Sequence, residues 1–411
     1  MARLANPSES LAVYLKPRVL VLGALGFSSG LPYLLTSSTL GAWLANEHVD
    51  LATIGLFALV TAPYTVKFLW APLLDRFRPP WLGRRRGWIA LAQIALAVAV
   101  CALAFARPRA SPLAAAALAL AVAFASATQD VACDAYSVEI LAAGERAAGG
   151  AVFVLGYRVA MLVTGALALI AADYLGFKGV YLASAALIGL SVAFTLIAPE
   201  PAPAAPPTTI AAAIVEPFAD FFARPGALAA LAFVTLYRLG ELVAANMVTP
   251  FLVSLQFSNS EIGAVWKGVG LVATIAGALG GGALTARLGL RRALFVFGSA
   301  QAIANLGYAV LAVAGRRHAL LVAAVAADQT CSGFTIASAV ALSMALCNRR
   351  YAATQFALLT SAAGATARLV GAGAGFYIER VGWPAFFITT AIAALPALLI
   401  LSLSKSLQKQ L

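Results

Sequence analysis

"ASATQDVACDAYSVEIL", residues 125–141, decides how the rest of the chain reads. It follows an apolar run and precedes a glycine-rich segment, yet it carries Asp130, Asp134 and Glu139. A charge at the centre of a bilayer costs about 2.5–3.5 kcal/mol or more, so acids in a membrane helix mark a polar path or a buried partner. If the flanking sequence crosses a membrane, these acids belong to the working part of the protein.

The composition says that it does. Of 411 residues, 62% are hydrophobic and 11% are charged, with a mean hydropathy of +0.91. A soluble domain carries roughly a quarter charged residues. This is a multi-span membrane protein, embedded in a lipid bilayer, not a soluble enzyme with one anchor. The net charge of +12 would raise the question of nucleic acid in a soluble chain. Here the basic residues collect in loops, as topology demands, and no nucleic-acid partner is expected. Cys101, Cys133, Cys331 and Cys347 lie in apolar segments or at their ends, and no CxxC occurs. His48 and His318 sit in short loops. No disulfide framework, metal site or cofactor is expected. The first apolar run is too long for a signal-peptide core and reads as a span.

Spans need about 20 apolar residues each. Twelve are expected, at 19–44, 51–74, 87–106, 112–136, 149–171, 179–198, 227–255, 262–285, 293–314, 319–346, 354–377 and 384–404. The one long polar break is 199–224, which opens on "PEPAPAAPPTT" and cannot continue a helix. The expected organisation is 1–198 as one six-helix bundle, 199–224 as a linker and 225–411 as a second bundle. The bundles look related. "TIGLFALV" (53–60) resembles "EIGAVWKG" (261–268), and each opens an even-numbered span that ends in a basic loop. Arg158 in "GYRVAMLVTG" answers to Arg368 in "TARLVGAGAG". Parallel six-span repeats are the mark of the major facilitator architecture, so the expected fold is all-α with twelve transmembrane helices in two six-helix bundles. Of the 28 Lys and Arg residues, seventeen fall on the linker side, six on the other and five inside spans. Both termini and the linker are therefore expected in the cytoplasm.

The charges inside spans are Lys67, Asp130, Asp134, Arg158, Arg238, Glu241, Lys267, Asp328 and Arg368. They occupy spans 2, 4, 5, 7, 8, 10 and 11, and avoid 3, 6, 9 and 12. In a major facilitator fold the avoided set faces lipid. The pattern implies a water-accessible central path. Bland readings stand beside this one. Lys67 can snorkel to the interface, Arg238 and Glu241 can neutralise each other at i,i+3, and Asp134 can pair with a loop arginine. The deeper charges can form bridges between helices. In "LLDRFRPPWLGRRRG", Asp75 with Arg84, Arg85 and Arg86 reads as a gating latch at the linker side. A plain topogenic signal explains the arginines but not the acid.

The chain resembles the AmpG-type muropeptide permeases of the major facilitator superfamily. The resemblance is carried by "LGFSSGLPYLLTSSTLGAWL", "DLATIGLFALVTAPYTVKFLWAPLLDRF", "GRRRGW", "SATQDVACDAY", "GERAAGGAVFVLGYRVAMLVTGALAL", "PFADFF", "LYRLGE", "GLVATIAGALGGG" and "ATQFALLTSA", in order over nearly the whole length. It implies import of GlcNAc-1,6-anhydro-MurNAc peptides from periplasm to cytoplasm across the bacterial inner membrane, driven by the proton gradient, for peptidoglycan recycling and beta-lactamase induction. It also implies that Gly30, Gln129 and Asp130 fall in stretches important for transport. Some members carry further spans after the twelfth, whereas this chain ends at "SKSLQKQL". A related permease for a siderophore or an acyl-CoA-type substrate is the alternative.

An anionic sugar-peptide suits the residues. Arg158, Arg238, Lys267 and Arg368 can grip carboxylates. Tyr64, Tyr157, Tyr237 and Trp266 can stack on sugar faces. Asp130 and Asp134 stand one helical turn apart, about 6 Å along the axis, and two such carboxylates resist double ionisation. Asp130 is the expected proton carrier, with Asp134, Glu241 and Asp328 as further candidates, unless both span 4 acids are fixed as anions by arginines. Gln129 points elsewhere on the helix, toward substrate or the facing helix. The protein is expected to work as a monomer and to catalyse no reaction: its loops are short and hold no nucleophile–base set.

Overall fold

The computed structural model describes residues 12–202 and 205–410, apart from the side chains of residues 51, 52, 58, 259, 260, 267, 405, 409 and 410. The described residues form helices and short connections. Among the described residues nine helical stretches are long and apolar enough to cross a membrane. One of these, Ala143–Ile197, holds both span 5 and span 6. Span 11, Ala352–Ala372, and a broken span 2 complete the twelve.

Two glycines explain how long helical runs hold more than one span. Gly176 (φ 66°, ψ 165°) divides span 5 from span 6. Gly382 (φ 77°, ψ 167°) divides span 11 from span 12. Such backbone angles are essentially restricted to glycine. The two breaks fall at matching places in the two halves, which is the internal repeat expressed in the backbone.

Span 2 is irregular from end to end. It runs as Leu51–Leu56, a 3₁₀ stretch Phe57–Thr61, Pro63–Val66, a second 3₁₀ turn Lys67–Leu69, and Ala71–Arg76. Pro63 and Pro72 each remove a backbone donor and interrupt the ladder. Spans 3 and 4, Arg84–Leu103 and Pro112–Ile140, are unbroken. Span 7 changes direction at Arg238, between Ala227–Tyr237 and Leu239–Ser254.

The 199–224 break is not wholly extended. It contains a helix, Ile210–Phe222, capped by the Thr209 hydroxyl on Ala212 N–H at 3.0 Å. This helix is tied to the start of span 11. Glu216 accepts from Tyr351 at 2.7 Å, and Asp220 accepts from Gln355 at 2.8 Å and Asn348 at 3.2 Å, besides pairing with Arg224. Burial pushes the Asp220 carboxyl up, but the bonds from Gln355, Arg224 and Asn348 outweigh it and hold the group below the usual carboxylate range. The proline run hid this helix from the sequence reading.

Packing divides unevenly along the membrane normal. On the linker side one core joins both halves: Leu22, Leu74 and Tyr136 pack in the same cluster as Phe233, Leu342 and Phe356. A second contact of small residues, Ala151 with Ala278 and Ala337, also crosses between halves. On the far side there are two separate cores. One is built from Leu31, Trp43, Phe57, Leu96 and Tyr181, the other from Val248, Phe251, Tyr308 and Phe387. The halves are sealed together at the linker end and apart at the other.

Candidate functional site

The seal is built from the loop read as a latch. Asp75 ends span 2 and is fully buried. Its Oδ1 accepts from Arg85 at 2.7 Å and from Ala353 N–H at 3.1 Å. Its Oδ2 accepts from the Thr354 N–H at 2.9 Å and hydroxyl at 2.8 Å. The acid of one half thus caps the N-terminus of span 11 in the other, where free N–H groups and the helix dipole favour an anion. Arg85 is shared with Glu139, which takes its Nε at 2.8 Å and its Nη2 at 2.5 Å, and which also takes Arg84 at 2.9 Å. Arg86 stands apart from this crossing. It donates to the carbonyls of Thr195 and Leu196 at the end of span 6. Asp75, Arg84 and Arg85 come together as expected. Arg86 braces its own half, and Glu139, the third acid of the opening stretch, is the member that the sequence reading left without a role.

Above the seal, span 4 meets the broken span 2. Asp134 pairs with Lys67 at 3.3 Å. Asp130, one turn on, accepts from Ser29 at 2.8 Å and lies in the fields of Lys67 and Asp134. Lys67 is only 8% exposed, so it does not snorkel; the 3₁₀ turn at Lys67–Leu69 turns it inward onto the acids. Lysine, not a loop arginine, is therefore the partner of Asp134. Tyr64 and Tyr157 both lie within the field of Asp130, and Tyr33 packs against each of them at 5.9 and 6.3 Å between ring centroids.

Span 7 brings its own pair. Arg238 donates twice to Glu241, at 2.9 and 2.6 Å, and Glu241 also accepts from Ser332 at 2.6 Å and Thr335 at 3.0 Å. The local neutralisation weighed for this i,i+3 pair is what the structure contains, and Arg238 is not a spare cation. Arg158, from span 5, lies in the fields of Arg238 and Glu241 but forms no hydrogen bond or ion pair with any described residue. Arg368 is likewise unpaired among the described residues. It reaches a cavity of about 390 Å³ on the far side, lined with Tyr33, Thr36, Phe57 and Tyr64 from the other half.

Several expected site residues sit elsewhere. Gln129 is fully buried and faces spans 1 and 3, not the cavity. Its amide donates to Ser28 at 2.8 Å, in a network with Gln93, Ser191 and Thr195. Gly30 is a packing residue: a Cβ there would come within 2.6 Å of the Tyr157 carbonyl, so only glycine lets spans 1 and 5 approach this closely. Tyr237 is stacked on Phe233 and bonded to Leu294 and Ser338, inside the linker-side core. Asp328 is buried among neutral donors, Gln301 at 2.7 Å, Tyr308 at 3.1 Å and Gln329 at 3.1 Å, away from Asp130 and Asp134. The Lys267 side chain lies outside the described residues. Among the described residues no group of three His, Cys, Asp or Glu side chains could hold a metal ion.

Two helical halves, a one-sided seal and polar groups in the cleft between them define a multi-pass membrane carrier. The chain matches the family model for the Major Facilitator Superfamily over residues 22–372, and it belongs to that family. It is 45% identical over 397 residues to the anhydromuropeptide permease of Escherichia coli K12, an alignment spanning 96% of this chain and 81% of that permease. Solved structures share the fold at low identity. A proton:xylose symporter, XylE, bound to 6-bromo-6-deoxy-D-glucose superposes with a TM-score of 0.68 at 10% identity, over 96% of this chain and 95% of that one. A bacterial homologue of the iron transporter ferroportin, in an outward-facing state, gives 0.67 at 16% identity over 93% and 98%. Transport is what the family does.

Proposed function

We propose that this chain imports anhydro-muropeptides from periplasm to cytoplasm by proton symport, for peptidoglycan recycling and beta-lactamase induction. In this reading the linker side is cytoplasmic and the halves are captured open toward the periplasm. The 45% identity to an anhydromuropeptide permease supports the substrate. The observation that carries the mechanism is the pairing of the charges. Arg158 and Arg368 have no protein partner among the described residues, while Arg238 and Lys67 are already paired. Two spare guanidinium groups, one from each half, suit the carboxylates of a stem peptide. Tyr33, Tyr64 and Tyr157 offer faces for the sugars. Closure around the substrate would draw the far-side walls together and release the Asp75 cap from span 11.

Asp130 is the proton carrier in this scheme. It is partly exposed to the cleft, and its only hydrogen-bond donor among the described residues is Ser29. Asp134 is held by Lys67 and Glu241 by Arg238, and Asp328 lies off the path, so these three are weaker candidates.

The test is uptake of labelled anhydro-muropeptide into proteoliposomes with and without an inward proton gradient. The gradient should drive accumulation, and a protonophore should abolish it. Arg368→Gln should reduce uptake far more than Arg380→Gln at equal membrane abundance. Equal effects of the two would remove the carboxylate clamp.

A further inference from the structure

The loop between spans 8 and 9 repeats the loop between spans 2 and 3. "LLDRFRPPWLGRRRG" (73–87) answers to "LTARLGLRRA" (284–293). In the first copy the arginines of the 84–86 run are all bonded within the protein: Arg84 to Glu139, Arg85 to Asp75 and Glu139, and Arg86 to two carbonyls. In the second copy the acid is missing, and Ala286 precedes Arg287 where Asp75 precedes Arg76. Arg291 and Arg292 are exposed, and no described residue takes a hydrogen bond or ion pair from either.

Helix stability does not account for them. They lie in the first turn of the helix Leu290–Ala314, which has no acid in that turn and no side-chain cap at Gly289. Cations at a helix N-terminus oppose the dipole. Both arginines instead line a cleft of about 520 Å³, whose other walls are Leu288, Phe295, Val296, Leu401 and Ser402. Phe295 and Val296 are one turn deeper into the membrane than the arginines and are exposed. The cleft is cationic at its linker-side rim and apolar below.

We propose that this cleft binds an anionic phospholipid, with its phosphate on Arg291 and Arg292 and an acyl chain along Phe295, Val296 and Leu401. Guanidinium groups pair with phosphate in a fork, and basic pockets between spans at the membrane surface suit anionic headgroups. One molecule then satisfies both parts of the cleft, whereas free phosphate would leave the apolar wall uncovered. The lipid supplies the second half with the anion that Asp75 and Glu139 supply in the first.

The experiment is native mass spectrometry of the full chain, purified in detergent and equilibrated with phosphatidylglycerol, phosphatidylcholine or inorganic phosphate. The wild type should retain phosphatidylglycerol in preference to phosphatidylcholine, and inorganic phosphate should not displace it. Arg291→Gln with Arg292→Gln should weaken retention about 30-fold, at roughly fivefold per basic residue. Lysine at both positions should restore much of it. The matched far-side pair Arg107→Gln with Arg109→Gln should leave it unchanged. Unchanged retention in the first pair, equal losses in both glutamine pairs, or displacement by phosphate would each overturn the proposal. Melting in detergent checks that the variants are folded. The readout needs no transport, so it stands or falls separately from the substrate assignment.

Discussion

At the scale of single residues, the acids of span 4 are distinguished by their partners. Asp134 is 3.3 Å from Lys67, and Asp130 has only Ser29. Asp130→Asn mimics a permanently protonated site. It should abolish gradient-driven accumulation while leaving exchange of labelled for unlabelled substrate intact; accumulation with unchanged pH dependence would move the proton site elsewhere. Lys67 and Asp134 are mostly buried, so removing one leaves an uncompensated charge. Lys67→Gln should lower the melting temperature, and adding Asp134→Asn should recover part of the loss, with a coupling of about 1–3 kcal/mol. Additive losses would show that the pair is not coupled. The sequence displayed all of these charges, because ionisable residues in apolar runs are conspicuous. It did not display their pairing. For Lys67 the sequence left snorkelling and an inward-facing role open, because its inward turn depends on a 3₁₀ segment that hydropathy does not reveal. Gln129 and Gly30 lie in telling stretches of sequence, yet their neighbours are helix-packing contacts.

At the scale of elements, the capping of span 11 by Asp75 is the contact most open to challenge. The cap joins one half to the other and excludes water from Arg85 and Glu139, all of them nearly or fully buried. Asp75→Asn keeps the size of the side chain but weakens the charge-assisted bonds. Cys347, 9% exposed in the shared core, is a natural reporter. With Cys101, Cys133 and Cys331 replaced by Ser, Asp75→Asn should speed maleimide labelling of Cys347 several-fold. An unchanged labelling rate would show that the seal does not depend on this acid. Element positions were largely legible in the sequence, since apolar length alone marks most spans. The linker helix was not. Its thirteen residues follow a proline run, and the contacts that hold it, through Glu216 and Asp220, come from distant parts of the chain.

At the scale of the whole molecule, the proposed orientation rests on the loop charges. Reporter fusions at residue 205 and at the C-terminus should both read as cytoplasmic, and a periplasmic signal at either would reverse the assignment. The division of the interior, with one core shared at the linker end and two kept apart at the other, could not be read from the sequence. Hydropathy treats both ends of a span alike.

The unpaired guanidinium groups of Arg158 and Arg368 have a consequence for energy conservation. Shutting an empty cleft would strip water from two cations without supplying an anion, at a cost on the order of several kcal/mol each. Under the proposed symport, a carrier without cargo would therefore stall open, and a proton on Asp130 would return to the side from which it came. In that scheme the membrane potential would not be short-circuited by idle cycling. Proteoliposomes containing a pH-sensitive dye should show little protein-dependent proton leak until substrate is added.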